Sequence, residues 1–91
     1  MKKTKFQIQR RWNFNDHEEL KDYGRTLTPL KALKRMEELA FEDIKIILTY
    51  NSEITISRTS DSRYPNAWGM TNNGILIKTY LFCVQWEVVE V

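Results

Sequence analysis

Side chains that could bind a metal or act as a nucleophile are few and scattered along this chain. His17 is the only histidine and Cys83 the only cysteine, and neither has neighbours at the spacing of a zinc site. A reactive thiolate needs a nearby base or cation, whereas Cys83 lies between Phe82 and Val84. We therefore expect no metal site and no cysteine nucleophile. Cys83 is predicted to pack as a small apolar residue and His17 to be solvated.

Paired carboxylates and glycines give no catalytic pattern either. Glu18-Glu19 and Glu37-Glu38 are adjacent in sequence, so their side chains would diverge on a helix. The three glycines form no phosphate-binding loop, and no nucleophile elbow is present. The sequence predicts a protein that is not an enzyme, without catalytic residues or a cofactor.

Charge is distributed unevenly between the two parts of the chain. Residues 1–35 carry ten Lys/Arg against four Asp/Glu, while residues 36–91 carry four against eight. This asymmetry indicates either a basic binding face or ion pairing between the parts once they fold together. The candidate nucleic-acid contacts are the basic residues of the predicted first strand and main helix: Lys3, Lys5, Arg11, Lys31, Lys34 and Arg35.

The irregular segment 59–74 holds residue types that are enriched at protein interfaces. Arg63, Tyr64, Trp68 and Met70 belong to these types, and loops held by a rigid sheet often carry recognition. They are the predicted contacts with a protein partner. Trp68 could instead fill the end of the core.

Length and composition indicate one globular domain covering residues 1–91. Apolar residues make up 42% of the chain, which is typical of folded proteins. A single cysteine cannot form an internal disulfide, and no stretch approaches the roughly 20 apolar residues of a membrane span. We expect a cytoplasmic location.

The N-terminal part of the chain reads as a strand followed by two helices. Residues 5–14 alternate between apolar and polar types, as in a half-exposed strand. Asp16 could cap a short helix that ends at Gly24. Thr28 and Pro29 then suit the start of a main helix, which we expect to end near residues 42–43 because the following isoleucines alternate.

The C-terminal part reads as four strands. Residues 44–50 and 54–58 are predicted to form a hairpin that pairs Tyr50 with Ile54. Asn73-Gly74 is typical of a type I′ turn and would fold residues 67–71 onto the last segment. The predicted fold is an α+β domain in the order β-α-α-β-β-β-β, with both helices on one face of a small antiparallel sheet.

The last segment, residues 75–91, alternates without any Gly, Pro, Asn or Asp. As one strand it would reach roughly 55 Å, longer than a compact domain of this size. It must therefore bend, break or project, and we expect a bend or bulge at residues 83–85. Its apolar side chains on both faces also suggest a homodimer joined through this strand.

Two functions from different classes follow. The first is a small protein-interaction module that uses the aromatic loop, an exposed sheet edge or both. Its compact size and lack of catalytic residues are typical of inhibitors and regulators from phages and mobile elements. The alternative is a nucleic-acid-binding accessory protein that uses the basic set.

Overall fold

The described chain folds as one five-stranded antiparallel sheet with a single helix. A computed structural model describes residues 6–14, 17–51, 53–59 and 73–90. The strands lie in the order β2-β1-β5-β4-β3, and each neighbouring pair is antiparallel. The elements are β1 (Phe6–Phe14), β2 (His17–Thr26), α1 (Pro29–Tyr50), β3 (Thr55–Thr59), β4 (Gly74–Lys78) and β5 (Phe82–Glu90). The predicted α+β class and antiparallel sheet are confirmed, but there is one helix rather than two.

The core lies between α1 and one face of the sheet. The helix contributes buried residues three or four positions apart, which places them on one side of the helix. The strands contribute alternate residues, and Ile8 lies opposite Val88 in the β1–β5 register. The buried apolar cluster consists of Phe6, Ile8, Ala32, Met36, Ala40, Ile44, Ile47, Ile75, Ile77, Val84, Trp86 and Val88.

The helix predicted after Asp16 is wrong, because His17–Thr26 forms the edge strand β2. The pairing of β2 with β1 is regular except for a bulge, and Gly24 lies at the bulge with a φ of +109°. Gly24 thus adopts the positive φ expected of a helix C′ residue, but in a strand. Local capping signals therefore identified the conformation of this glycine and not its element.

The main helix begins as predicted but runs further. The Thr28 hydroxyl accepts a hydrogen bond from the Lys31 backbone N–H at 3.3 Å, and Pro29 occupies the first turn. The predicted end near residues 42–43 is wrong, since the helix continues to Tyr50. Ile44 and Ile47 are buried and extend the helical stripe, so core packing outweighs the β propensity of their branched side chains.

Both predicted hairpins are also wrong. Residues 44–50 are helical, and β3 pairs instead with β4. Gly74 is not in a turn: it begins β4 and lies between Thr59 and Glu87 in the ladders on either side. Because Gly74 is paired on both sides, the predicted type I′ turn at Asn73-Gly74 is wrong. The predicted partner segment 67–71 lies outside the described residues.

The long final segment breaks into two strands instead of bending. The Thr79 backbone N–H donates to the Phe82 carbonyl at 2.9 Å, which closes a turn at Tyr80-Leu81. The Thr79 hydroxyl accepts from the N–H groups of Leu81 at 3.2 Å and Phe82 at 3.0 Å. The bend expected at residues 83–85 is wrong, because these residues pair regularly with β1.

The break also changes the expected route to a homodimer. β4 lies between β3 and β5, and β5 lies between β4 and β1. Neither strand has a free edge, so strand addition from a second copy would have to use β2 or β3. No helix in the described part of the chain is long and apolar enough to cross a membrane.

Candidate functional site

A cleft lies between the C-terminal half of α1 and the sheet, beside the β2 edge. Its volume is about 330 Å³, within the range of about 300–1,000 Å³ that is typical of ligand clefts. It is lined by Arg10, Trp12, Glu19, Asp43, Ile46, Ile47, Tyr50, Asn51 and Phe82. The cleft thus combines aromatic and aliphatic walls with three charged groups.

Simple periodicities bring these residues together. Arg10 and Trp12 are two positions apart on β1, so both side chains lie on the helix-covered face. Glu19 is paired with Trp12 across the β1–β2 ladder and shares that face. Asp43 and Tyr50 are seven residues apart on α1 and lie on the same side of the helix.

An arginine–carboxylate pair forms the inner end of the cleft. Arg10 donates from Nε to Asp43 Oδ2 at 2.9 Å and from Nη2 to Asp43 Oδ1 at 3.3 Å. Trp86 Nε1 donates to the same Oδ2 at 2.8 Å, and the Arg10 guanidinium lies 5.9 Å from the centre of the Trp86 ring. Tyr23 packs on Trp86 at a ring distance of 4.8 Å. Asp43 therefore links the helix to both β1 and β5.

Aromatic rings form the outer walls of the cleft. Trp12 meets Phe82 edge-on, with ring centres 6.2 Å apart and planes at 67°, and stacks on Phe14 at 5.7 Å. Tyr50 projects from the end of α1, with 81% of its surface exposed. Glu19 is exposed at the β2 rim, where its Oε1 lies 3.3 Å from His17 Nε2. The outer half of the cleft is thus open to a ligand.

A second, shallower groove of about 520 Å³ surrounds the β4–β5 turn. It includes Asn13, Glu18 and Lys78, and Tyr80 at its rim is 97% exposed. Asn13 Nδ2 lies 3.7 Å from the sulfur of Cys83, which is half-buried rather than a core residue. Tyr80 extends into solvent, and the groove is less enclosed than the cleft.

The four described residues of the predicted nucleic-acid surface do not lie on one surface. Arg11 lies on the sheet face opposite α1, with its Nε 3.1 Å from Glu18 Oε1 and its Nη2 3.5 Å from Glu87 Oε1. Lys31 and Lys34 are exposed on the first turns of α1. On the same turns, Arg35 Nη1 donates to Glu38 Oε2 at 3.2 Å. Lys3 and Lys5 lie outside the described residues.

The predicted aromatic loop also lies outside the described residues. Arg63, Tyr64, Trp68 and Met70 therefore stay predicted partner contacts. His17 is exposed as expected, although on a strand. Within the described ranges, no three His, Cys, Asp or Glu side chains are close enough together to hold a metal ion.

Sequence reasoning did not find the cleft, because its residues come from four separate elements and from residue 51 after the helix. The spacing of Asp43, Ile46 and Tyr50 is visible in the sequence only if the helix is extended past residue 43. The pairing of Glu19 with Trp12 is visible only if β2 is recognised as a strand.

Comparisons with protein-family models, curated proteins and solved structures found no match to this chain.

Proposed function

We propose that this protein is a non-catalytic protein-interaction module that binds an extended segment of a protein partner along the edge of β2. The segment would add a sixth strand to the sheet and direct one of its side chains into the neighbouring cleft. The observation that carries this proposal is the position of the aromatic cleft directly beside an open, ten-residue edge strand. Such a module fits the inhibitor or regulator expected from the size of the chain.

The β2 edge has the properties needed for strand addition. Alternate residues of an edge strand direct their backbone N–H and C=O groups away from the sheet, where they can pair with another chain. Eight of the ten β2 residues are exposed, and only Tyr23 and Thr26 are half-buried. In this binding mode, backbone hydrogen bonds supply affinity and pockets for alternate side chains supply specificity. Glu19 contributes to both features, because it belongs to β2 and lines the cleft.

The length of the edge favours β2 over β3. β3 spans five residues and β2 spans ten, so β2 offers about twice as many outward backbone groups. The strands of the C-terminal segment lie inside the sheet and offer none.

The composition of the cleft supports binding rather than catalysis. The described residues of its lining include no Ser, Thr, Cys, His or Lys side chain. Both oxygens of Asp43 accept hydrogen bonds from Arg10 or Trp86, which leaves Glu19 as the carboxylate that faces a ligand. A two-carboxylate acid–base mechanism would need both groups to be available to substrate.

Two proline variants test the edge directly. Leu20 and Lys21 are consecutive on β2, so one directs its N–H toward β1 and the other directs it outward. Leu20→Pro and Lys21→Pro are made separately, and their unfolding free energies are measured. We expect one to be destabilised by the loss of a ladder hydrogen bond and the other to fold like the wild type.

The variant that folds normally is then compared with the wild type in affinity capture from nuclease-treated source-cell lysate, read out by mass spectrometry. The proposal predicts that this variant loses a protein partner that the wild type retains. Equal capture of that partner by both proteins would overturn it.

Nucleic-acid binding is the alternative, and it is supported by the exposed Lys31 and Lys34 on a helix whose first turn has no acidic residue. In this case nuclease would remove the captured material, and binding would weaken steeply with salt. The variant Lys31→Glu/Lys34→Glu would abolish such binding and would leave β2-dependent capture unchanged.

A further inference from the structure

The charged groups among the described residues that line the cleft leave a carboxylate at its outer end. Arg10 and Asp43 neutralise each other at the inner end, where the guanidinium also lies over Trp86. Among the described lining residues Glu19 is the remaining charged group, and its described partner, His17, carries a charge only when protonated. A ligand group that enters the cleft therefore meets a carboxylate before it meets the arginine.

The end of the helix adds to this negative potential. The last turn of α1 contains no basic residue, and the carbonyl groups at a helix C-terminus carry a partial negative charge. Asn51 caps the Ile47 carbonyl with its backbone N–H and its side-chain amide, each at 3.0 Å. Tyr50 and Asn51 both line the cleft, so a bound group would lie close to this helix end.

The aromatic walls are suited to the same kind of ligand. A cation within about 6 Å of an aromatic ring centre is attracted to the face of the ring. Trp12 and Phe82 meet at 67°, and Tyr50 projects from the helix on another wall. A carboxylate, a helix C-terminus and three aromatic rings thus favour positive charge at one place.

The distance from the edge selects a long side chain. A strand added to β2 lies about 4.8 Å beyond it, and β1, which carries Trp12, lies one further spacing inward. Trp12 is therefore roughly 10 Å, or two strand spacings, from the added strand. A long side chain that covers part of this distance brings its cation within about 6 Å of the ring centre, where the attraction acts. Arginine and lysine have long apolar stems that can lie along such a wall while the charged end reaches the rings.

We infer that the cleft recognises the cationic side chain of an arginine or lysine in the partner's extended segment. This inference rests on the proposed function and names the chemistry of the residue that enters the cleft. The segment would lie along β2, with its cation between Glu19, Trp12 and Tyr50.

Two peptides of equal shape test the inference. The first is acetyl-Ser-Thr-Arg-Thr-Ser-amide, and the second replaces arginine with citrulline, which has nearly the same shape but no charge. Binding is followed by NMR through the Trp12 indole N–H resonance, assigned with Trp12→Phe. We expect the arginine peptide to bind about tenfold more tightly than the citrulline peptide.

A matched pair of variants distinguishes binding in the cleft from attraction to negative charge elsewhere on the surface. Glu19→Gln should lower the affinity of the arginine peptide severalfold and leave that of the citrulline peptide unchanged. Glu38→Gln is the control, because Glu38 has a similarly exposed side chain with one cationic neighbour but lies outside the cleft. It should change neither affinity.

The outcomes distinguish this inference from the proposed function. Equal binding of both peptides, with the Trp12 resonance shifted, would overturn the cation preference and leave strand addition beside the cleft intact. The preference would also be overturned if Glu38→Gln weakened the arginine peptide as much as Glu19→Gln. The proposed function fails separately, if the normally folded proline variant retains the cellular partner.

Discussion

Among the described residues, one arginine–carboxylate pair joins the helix to the sheet on each side of the helix, and the two pairs differ sharply. On the side facing β1 and β2, here the β2 flank, Arg10 binds Asp43, and their side chains are only 24% and 13% exposed. On the side facing β3, the β3 flank, Arg58 Nη1 lies 2.7 Å from Glu37 Oε1, and the side chains are 52% and 31% exposed. Asp43 also accepts a hydrogen bond from Trp86. The Arg58–Glu37 contact is the shorter of the two, but we expect it to stabilise the fold less than the Arg10–Asp43 pair does.

The difference suggests a division of roles between the flanks. A pair with several partners in a partly dry environment fixes the helix against the sheet, while an exposed pair contributes little. We therefore expect the β2 flank to be the more rigid side, and it is also the side that carries the cleft. Under the proposed function, a preorganised wall beside an open edge would favour binding, because less ordering would be needed.

The largest expected effect is the loss of Asp43. Asp43→Ala leaves the Arg10 guanidinium and the Trp86 indole N–H without their acceptor in a partly buried site. We expect the unfolding free energy to fall by about 2–4 kcal/mol. Urea unfolding at constant m-value measures the change.

The variant Asp43→Asn serves as its control, because the amide oxygen can still accept from Trp86 but carries no charge. It should lose less stability than Asp43→Ala. Equal losses of unfolding free energy in the two variants would show that the charge of Asp43 contributes nothing to its contacts with Arg10 and Trp86.

The next largest loss of stability is expected on the β3 side of the sheet, where side chains pack closely around Gly74. A Cβ at Gly74 would meet the Thr59 hydroxyl, approach the Gln85 amide nitrogen to 2.6 Å and lie 2.9 Å from the Trp86 carbonyl oxygen. Gln85 also donates to Thr59 at 2.7 Å across this position. Gly74→Ala should therefore cost about 1–3 kcal/mol.

Thermal unfolding of Gly74→Ala is compared with that of Gly24→Ala. The comparison distinguishes the effect of steric crowding from that of an unfavourable backbone conformation. Nothing lies within 4 Å of a Cβ at Gly24, so strain from its positive φ is the expected effect there. A fully stable Gly74→Ala variant would contradict the close packing of β3, β4 and β5.

The smallest effect on stability is expected at the exposed pair. Arg58→Ala and Glu37→Ala should each cost about 0.2–1 kcal/mol, and a double-mutant cycle should give a coupling energy in the same range. The corresponding cycle for Arg10 and Asp43 should give a clearly larger coupling. Similar coupling energies for the two pairs would remove the distinction between the flanks.

How far the sequence predicts the fold depends on whether the local patterns agree with the tertiary surroundings. β1 and the start of α1 were predicted because their periodicity and capping residues agree with their tertiary surroundings. Residues 44–47 satisfy both a strand pattern and a helical one, and the choice depends on whether Ile44 and Ile47 continue the stripe from Ala40. That choice is made by the sheet beneath the helix, which a local pattern does not contain.

The edge strand β2 is missed for a different reason: its sequence lacks a strand pattern instead of fitting two patterns. The polar residues of β2 resemble a capped surface helix, because an edge strand exposed on both faces has no apolar alternation to reveal it. The turn at Tyr80-Leu81 was missed because it contains no Gly or Asn and depends on the Thr79 hydroxyl. The candidate cleft follows from β2 and from the second half of α1, so it could not be predicted while both were assigned wrongly.

Two exposed aromatic residues on α1 allow the flanks to be compared in binding. Tyr50 lies seven residues after Asp43 on the β2 flank, and Phe41 lies four residues after Glu37 on the β3 flank. Both are exposed, at 81% and 51%, so replacing either with alanine should change stability little. Any difference in binding between the variants then reports the position of the partner.

The most direct measurement is affinity capture by Tyr50→Ala and Phe41→Ala from nuclease-treated source-cell lysate, quantified against the wild type. The proposed function predicts that Tyr50→Ala captures at least about tenfold less of a protein partner than the wild type, as for truncation of a central aromatic contact, while Phe41→Ala retains it. Loss with Phe41→Ala and retention with Tyr50→Ala would place the partner on the β3 flank and contradict the proposed site.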